Sequence, residues 1–354
     1  MSALRVAQCY TGSVGRRIIN LISARHDLEL VGVLVHNSDK DSVDAGVLAG
    51  SAPIGVSATT SLDAIIDLDP DCAIWMGKGW QPDQLCTLLR AGINVYAPVG
   101  ALYLPGDPQF AAMQQACLAG GSTLVGGGSI PGLVSDVLPL FLTGYIGRVD
   151  RIRAAQSNLV WDYQSADRLS AGLGLGAALS AAPTRMPSAV DRKWIRYITQ
   201  SAAMIADAIG LDFGGLELTS KDYAPAPHDL QLPSGLSIAA GTAAGVRWIF
   251  TGYSAAGDQF YTLTKEQVAV CGLGPTWRQS GDAPQWRVEI DGCPSLVCDL
   301  STVSRDGFGQ ATADLNAARA VNLVASIVAA APGCRSVRDF AAPTGTALGR
   351  RLSG

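Results

Sequence analysis

The fold of this chain is decided by residues 5–17, which read RVAQCYTGSVGRR. Strand-forming residues enter a short turn that contains Gly12 and Gly15, and apolar residues at helical spacing follow at 18–22. A strand, a glycine turn and a helix in this order place backbone N–H groups at a helix N-terminus, where they can bind a pyrophosphate. We therefore predict a dinucleotide site here, the alternative being an ordinary βα connection; its residues are Tyr10, Thr11, Gly12, Ser13, Val14 and Gly15.

The end of the next predicted strand, residues 28–35, indicates which dinucleotide binds. His36, Asn37, Ser38, Asp39 and Lys40 follow this strand, about 20 residues after the glycine turn, where the ribose of a dinucleotide lies. A site for NAD usually has an acidic residue directly at the strand end, whereas polar donors and a cation suit a 2′-phosphate. The sequence favours NADP(H), held by His36, Asn37, Ser38 and Lys40, while Asp39 leaves NAD(H) open.

The composition is typical of a well-packed globular protein. Its 354 residues, 48% of them hydrophobic and 16% charged, are enough for about two domains. A formal charge of −4 without a basic patch argues against nucleic acid or an anionic membrane as partner. The eight cysteines form no CxxC pair, which predicts reduced thiols, no metal site and a cytoplasmic protein. Neither a signal peptide nor a membrane span is predicted.

Alternating strands and helices up to residue 125 predict an α/β Rossmann domain with a doubly wound parallel sheet. The strands are predicted at 71–76, 94–97 and 122–125, with helices at 62–68, 82–91 and 108–119 between them. Ligands bind outside the carboxyl ends of such strands. This places Gly77, Lys78, Val99 and Gly100 at the cofactor crevice, with Ala101, Leu102 and Tyr103 beside the substrate. The glycines at 126–128 lead to Ser129, Ile130 and Pro131, which predicts either a close approach to the ligand or an interdomain hinge.

From residue 149 the pattern changes to a largely antiparallel sheet in an α+β domain for substrate binding and dimerisation. Strands are predicted at 152–159, 217–222, 237–251, 259–270, 285–290 and 295–300, with a helix at 193–209 between them. A helix predicted at 133–142, before this domain, is expected to cross to it. A last helix at 312–331 is expected to pack back on the first domain and to bring Asn322 near the crevice. The predicted domains are 1–145, 146–311 and 312–354.

Short motifs along nearly the whole chain resemble those of one family. They are TGSVGR at 11–16, LELVGV at 28–33 with DAG at 44–46, DPDC at 69–72, GSIPGLVSD at 128–136, WRVEIDG at 286–292, AVN at 320–322 and APG at 331–333. In order and spacing the chain is similar to 2,4-diaminopentanoate dehydrogenase and the native amine dehydrogenases, relatives of dihydrodipicolinate reductase.

This resemblance implies an activity and a set of binding residues. Family members bind NAD(P)H in the first domain, form homodimers through the second, and interconvert a ketone plus ammonia with a primary amine. By resemblance, Gly12, Ser13, Val14 and Gly15 hold the pyrophosphate, Ser38 and Lys40 hold the adenosine phosphate, and Ile130, Pro131 and Asn322 lie at the nicotinamide.

Two positions depart from the family pattern. Tyr10 stands where the family usually has glycine, so the turn must tilt this side chain out or hold the cofactor differently. The amine dehydrogenases also place a glutamate just after the strand that corresponds to 94–97, whereas this chain has no acid before Asp107. Because hydride transfer needs placement and ammonia activation needs a base, a chain without this glutamate could reduce a preformed imine or a carbonyl instead.

Few residues qualify as the proton donor. The phenol of Tyr103 could protonate an alkoxide or only wall the pocket, and Asp162 could replace the missing glutamate or be a solvated turn residue. Lys78 could orient a carbonyl, bind a cofactor phosphate or be a solvated lysine. An apolar pocket is predicted around Trp161, Tyr163, Leu175 and Trp277, with the glycine-rich segment 171–179 as a mobile lid or a loosely ordered loop.

Three functional hypotheses follow. The first is an NAD(P)H-dependent oxidoreductase of the amine dehydrogenase type, acting on a small, mostly apolar ketone, imine or amine and forming a homodimer. The second is a carbonyl reductase, alcohol dehydrogenase or imine reductase on the same scaffold. The third is a sensor that binds NADP(H) without catalysis.

Overall fold

The computed structural model describes residues 2–77, 79–179, 187–274, 277, 285–302, 308–340 and 344–345. In chain order the strands are β1 (Leu4–Cys9), β2 (Leu28–Leu34), β3 (Ala58–Thr59), β4 (Cys72–Trp75), β5 (Asn94–Tyr96), β6 (Thr123–Val125), β7 (Arg148–Leu159), β8 (Phe213–Pro225), β9 (Leu230–Gln231), β10 (Ser237–Ile238), β11 (Ala243–Ser254), β12 (Gln259–Val268), β13 (Trp286–Cys293), β14 (Leu296–Leu300) and β15 (Gly333–Arg335). The α-helices are α1 (Ser13–Ser23), α2 (Ala45–Ala49), α3 (Leu62–Asp67), α4 (Pro82–Arg90), α5 (Phe110–Gly120), α6 (Val137–Thr143), α7 (Ala189–Ala208) and α8 (Phe308–Val328).

The chain folds into two compact units, residues 1–128 with 313–354 and residues 129–312. The predicted domain limits were 145/146 and 311/312. The first limit differs because α6 packs on β7 and β13 and therefore belongs to the second unit.

The first unit is built on a seven-stranded sheet with the order β3-β2-β1-β4-β5-β6-β15. Every neighbouring pair in it is parallel. The strand order reverses between β1 and β4, and an open α/β sheet binds its ligand at the carboxyl ends of the strands at such a switch point. The predicted doubly wound parallel sheet is confirmed, and β15 is an additional edge strand that was not predicted.

Helices bury apolar residues against both faces of this sheet. On one face, Ile18 and Ile22 of α1 pack with Val6 of β1 and with Ala320 and Val324 of α8. On the other face, the leucines of α4 and Met113 of α5 pack with Ala73 and Val95. The last helix therefore packs on the first domain, as predicted.

The second unit is built on a six-stranded mixed sheet with the order β14-β13-β7-β12-β11-β8. Only the β7–β12 pair is parallel, so the predicted, largely antiparallel sheet is confirmed. The 20-residue helix α7 packs on β8 and β11. Its N-terminus is a capping box in which Ser188 and Asp191 bond each other's backbone N–H groups.

Several predicted elements have different limits, and for two of them specific contacts give the reason. The single strand predicted at 237–251 is wrong: β10 and β11 are separated by a turn in which Gly241 has φ 78 and Thr242 N–H donates to Ala239 O. The helix predicted at 133–142 begins only at Val137, because Asp136 caps it and ties the preceding turn through Gly132.

None of the helices in the described part of the chain has the length and apolarity needed to cross a membrane. Within the same residues, no three His, Cys, Asp or Glu side chains are grouped so that they could hold a metal ion.

Candidate functional site

The turn between β1 and α1 has the shape of a pyrophosphate cradle. Gly12 is the N-cap of α1, and a Cβ atom built on it would meet nothing within 4 Å. A Cβ atom on Gly15 would lie 2.0 Å from the Tyr10 carbonyl oxygen, so the helix can approach the strand end only with glycine there. These are the roles of the second and third glycines of the dinucleotide fingerprint. The residues present therefore fit a dinucleotide.

Tyr10 takes the place of the first fingerprint glycine and adopts that glycine's conformation. Its φ is 73, in the left-handed region, and its N–H donates to Leu34 O at 2.7 Å. The ring leaves the turn and meets Trp75 edge-on, with ring centroids 5.1 Å apart. It also closes over Gly77, where a Cβ atom would lie 3.1 Å from Cε2 of Tyr10. Burial raises the pKa of Tyr10. The side chain is thus tilted out of the turn.

The end of β2 brings a cation to the glycine turn. Lys40 Nζ donates to the hydroxyl of the buried Thr11 at 3.2 Å. Asn37 caps a short 3₁₀ turn over Ser38–Lys40 by accepting from Asp39 N–H at 3.1 Å. His36, Asn37, Ser38 and Asp39 are exposed. The predicted residues of this strand end therefore lie together, with Lys40 turned toward Thr11.

The loops that follow β4, β5 and β6 contact one another at the same edge of the sheet. A Cβ atom on Gly100, which has φ 87, would lie 2.7 Å from the Trp80 ring. One on Gly126 would lie 2.4 Å from the Ala101 backbone, and one on Gly128 would lie 2.6 Å from Asn316 Oδ1. Close packing thus requires glycine at 126, against backbone, and at 100, against the Trp80 ring, whereas at 128 the flexible Asn316 side chain could move aside. Lys78 lies outside the described residues.

Other predicted residues of these loops differ in exposure. Val99 and Tyr103 are half-buried, whereas Leu102 is buried. Ala101 packs into the apolar core of the first unit with Val95 and Leu104, so its side chain serves packing.

Asn322 is not brought to this edge. Its amide oxygen accepts from Arg25 Nη1 at 3.0 Å, and Arg25 follows the C-terminus of α1, opposite the end that carries the glycine turn. Asn316, earlier on α8, is the residue that reaches Gly128. The sequence could not tell which asparagine of this helix faces which end of the sheet.

In the second unit, the turn that contains Ile130 and Pro131 is held by a buried carboxylate. Asp136 accepts from Gly132 N–H at 2.9 Å, from the Ser135 hydroxyl at 2.8 Å and from the Ser201 hydroxyl of α7 at 2.8 Å. Burial raises the pKa of Asp136, although these hydrogen bonds oppose the shift. Ser129 and Ile130 are half-buried and Pro131 is buried. The role of Asp136 was not predicted, although it lies inside one of the family-like motifs.

The segment after β7 contains the predicted residues 161–163. Both carboxylate oxygens of Asp162 are buried, with no hydrogen-bond partner among the described residues. This excludes a solvated turn residue. Trp161 is 37% exposed, and the ring of Tyr163 lies under the Arg168 guanidinium at 5.1 Å. Burial raises the pKa of Tyr163.

The segment 171–179 is tied to the second sheet. Gly176 N–H donates to Ala243 O at 2.8 Å, and Ala243 N–H donates to Ala177 O at 2.9 Å. Leu175 is only 2% exposed. These bonds join residues 176 and 177 to β11, whereas the role of the segment as a lid stays a prediction.

Two further side chains of the second unit are partly or fully buried. Trp277, a predicted pocket residue, is half-buried, with the Arg247 guanidinium 4.8 Å above its ring. Lys265 was not predicted: it is 4% exposed, and its Nζ donates to Gln156 Oε1 at 2.9 Å. Burial, followed by the charge of Arg168, lowers the pKa of Lys265 to about 7. A signal was present, since Lys265 alternates with Tyr261 and Leu263 on the inward side of its strand.

Comparison with known proteins gives consistent matches. The profile of the 2,4-diaminopentanoate dehydrogenase C-terminal domain matches residues 133–351, and that of the dihydrodipicolinate reductase N-terminus matches residues 8–75. An amine dehydrogenase of Streptomyces virginiae is 29% identical over 360 aligned residues, covering 96% of either chain.

Solved structures share the fold. The amine dehydrogenase from Mycobacterium smegmatis has a TM-score of 0.75 at 18% identity, covering 98% of this chain and 97% of that one. The scyllo-inositol dehydrogenase from Lactobacillus casei, solved with NAD(H) and scyllo-inositol, has a TM-score of 0.55 at 14% identity, covering 92% and 89%.

A doubly wound sheet with a pyrophosphate cradle at its switch point, followed by this mixed-sheet unit, defines an NAD(P)-dependent dehydrogenase. The 2,4-diaminopentanoate dehydrogenase profile spans more than half of the sequence, so the chain belongs to that family. An amine dehydrogenase is among its relatives.

Proposed function

We propose that this enzyme interconverts a small, mostly apolar amine with its imine or ketone, and that it prefers NADP(H) to NAD(H). The observation that carries the proposal is the glycine turn. No protein atom lies within 4 Å of a Cβ atom built on Gly12, and the Lys40 ammonium donates to the Thr11 hydroxyl beside it. The likeness to the Streptomyces virginiae amine dehydrogenase supports the choice of amine chemistry.

The residues of the first unit have distinct tasks in this proposal. Backbone N–H groups at Gly12, Ser13, Val14 and Gly15 hold the pyrophosphate. Lys40, with Ser38 beside it, binds the 2′-phosphate, because a cation and a hydroxyl suit a dianionic group. The bound nicotinamide supplies a two-electron hydride acceptor or donor. The protein must orient the substrate and move the protons.

The experiment has two stages. Titration with NADPH and NADH, followed by nicotinamide fluorescence, is expected to give tighter binding of NADPH, and failure to bind either would contradict the proposal. NADPH consumption is then measured with a panel of small ketones, with and without excess ammonia. A rate that depends on ammonia supports amine dehydrogenase activity.

Carbonyl or imine reduction is the second candidate, and a specific observation favours it. The loop after β5 has no acid before Asp107, whereas the half-buried phenol of Tyr103 lies on it. A rate without ammonia that falls in Tyr103→Phe would support this alternative. Binding of NADPH with no turnover of any ketone or amine would support the sensor.

We also propose a homodimer formed through the second unit. The sheet face that carries Arg153, Glu289 and Asp291 is partly exposed, and these side chains form ion pairs of 3.0 Å and 2.5 Å along it. A small-molecule substrate and a second copy of the chain are the partners in this proposal.

A further inference from the structure

Cysteine side chains from three elements lie together near one edge of the first sheet. The edge strand is β15, which pairs with β6 and is packed against α5. Cys117 of α5 is buried and Cys334 of β15 is half-buried, and both pack in the same apolar cluster as the buried Cys86 of α4. These cysteines are far apart in the sequence, so the fold alone brings them together.

Three contacts bring the side chains of Cys117 and Cys334 to each other. Cys334 N–H donates to Gln114 Oε1 at 2.8 Å, and Gln114 lies one turn before Cys117 on α5. Leu124 of β6 pairs in register with Cys334 and donates its N–H to the Cys117 sulfur. The two thiols also hydrogen-bond to each other. Backbone pairing, helix packing and the sulfur atoms thus agree on one pair.

The thiol of Cys86 has other partners. It lies 3.9 Å from Ala112 O, to which it donates, and 3.8 Å from the Met113 sulfur. Both partners belong to the part of α5 that precedes Cys117. Cys86 is therefore a neighbour of the pair and not a member of it, which makes it a matched control.

The two paired thiols have different properties. The hydrogen bond from Cys334, together with the one from Leu124 N–H, lowers the pKa of Cys117, although burial opposes this shift. The same sulfur–sulfur hydrogen bond and burial raise the pKa of Cys334. A thiolate is the attacking species in thiol–disulfide exchange, and access decides which sulfur an external reagent reaches. Cys334 is thus the sulfur that a reagent can reach, and Cys117 is the better internal nucleophile.

We propose that Cys117 and Cys334 form a reversible disulfide that ties the edge strand β15 to α5 when the protein meets a disulfide of low molecular weight, such as oxidised glutathione. The inference goes beyond the proposed dehydrogenase function and does not depend on it. The loop that the link closes contains the whole second unit. A long closed loop restricts the unfolded chain strongly, so the link is expected to stabilise the edge of the first sheet.

The exchange balances without a further reactant. Cys334 loses its thiol proton and its sulfur attacks the small disulfide, so that a mixed disulfide forms and one small thiol leaves. The Cys117 thiolate then attacks the Cys334 sulfur and releases the second small thiol. Two protein thiols are oxidised, one small disulfide is reduced, and the two thiol protons end on the two small thiols. Because the pKa of Cys334 is raised, its attack is expected to be the slow step.

The first test identifies the link in the full-length protein. Wild type and Cys86→Ser are equilibrated in glutathione buffers of increasing oxidised fraction, the remaining thiols are blocked, and the peptides are mapped by mass spectrometry. We expect a cross-linked pair of peptides containing Cys117 and Cys334 in both proteins, and its loss after addition of dithiothreitol. If Cys86→Ser does not fold, the map of the wild type alone distinguishes the two links.

Modification of the exposed Cys271 shows that the oxidant was active. The proposal is overturned if Cys334 then stays reduced or carries only glutathione, or if Cys117 is linked to Cys86.

The second test measures what the link does to the edge strand. Hydrogen exchange of the backbone amides at 333–335 is expected to slow about 10-fold or more when the wild type is oxidised. Cys334→Ser, or Cys334→Ala if the serine variant does not fold, cannot form the link and should exchange equally in oxidising and reducing buffer. Equal exchange in linked and reduced wild type, or the same slowing in the variant, overturns the proposed role of the link.

Discussion

At Tyr10, a strained backbone is held in place by a well-packed ring. A left-handed conformation costs a non-glycine residue about 1–2 kcal/mol. Partial burial of the ring and its edge-on contact with Trp75 contribute about 2–3 kcal/mol. The contact therefore outweighs the strain, and the turn keeps its course without the first glycine.

Tyr10→Gly restores the glycine of the fingerprint, yet it is expected to lower stability by about 1 kcal/mol, because the lost ring contact exceeds the relieved strain. Thermal unfolding of the variant and the wild type measures this difference. The affinity for NADPH serves as a control and should change little, since the ring points out of the turn. A higher melting temperature in the variant would contradict this account.

Lys40→Ala tests cofactor choice at a single side chain. Removing the cation is expected to weaken NADPH binding about 10-fold or more, the usual effect of one charge-assisted hydrogen bond. Binding of NADH, which lacks the 2′-phosphate, should be unaffected in the same variant. Dissociation constants for both cofactors measure this. An equal loss for the two would mean that Lys40 only supports the turn through Thr11.

At the scale of an element, the two glycines at the start of α1 have different roles, one in folding and one in cofactor binding. A Cβ atom on Gly15 would collide with the Tyr10 carbonyl at 2.0 Å, whereas one on Gly12 would meet no protein atom within 4 Å. Gly15→Ala is expected to destabilise the first unit by about 1–3 kcal/mol. Gly12→Ala should leave stability unchanged but block the approach of the pyrophosphate, so NADPH affinity falls. Unfolding curves and NADPH titrations of both variants test this, and the idea fails if Gly12→Ala binds normally.

The buried Lys265 of β12 links the stability of the second unit to pH. The unfolded chain holds the proton of Lys265 up to about pH 10.4, whereas the folded chain releases it near pH 7. Between these values the unfolded state binds more protons, so stability rises with pH and is lost as the pH falls toward 7.

Lys265→Met should remove this dependence. The difference in unfolding free energy between variant and wild type is expected to change by on the order of 4 kcal/mol over that pH range. Chemical denaturation at several pH values measures it. Parallel curves of unfolding free energy against pH for the wild type and Lys265→Met would show that burial does not lower the pKa of Lys265.

At the scale of the whole molecule, a dimer is the expected assembly. Light scattering during gel filtration should give twice the chain mass of 36.7 kDa. A mass of one chain at all concentrations would contradict this expectation.

The sequence was a good guide to repetitive features and a poor one to contacts between distant residues. Strands β1, β2, β4, β5 and β6 follow apolar runs, and the glycine turn marks their switch point, so the first sheet was predictable. The three-residue strand β15 has no such pattern, and pairing with β6 alone creates it. The Lys265–Gln156 bond joins residues 109 positions apart, so strand alternation can suggest that this lysine faces inward, but only the fold shows which side chain it meets.

The placement of β15 has a consequence for the order in which the protein matures. The sheet that carries the glycine turn begins with β1, yet its edge is closed by residues 333–335, and its core needs Ala317 and Val324 of α8. A ribosome therefore finishes the entire second unit before it delivers the last pieces of the first. The edge of β6 stays open until residues 333–335 have been synthesised, so the first sheet is completed only after the whole second unit.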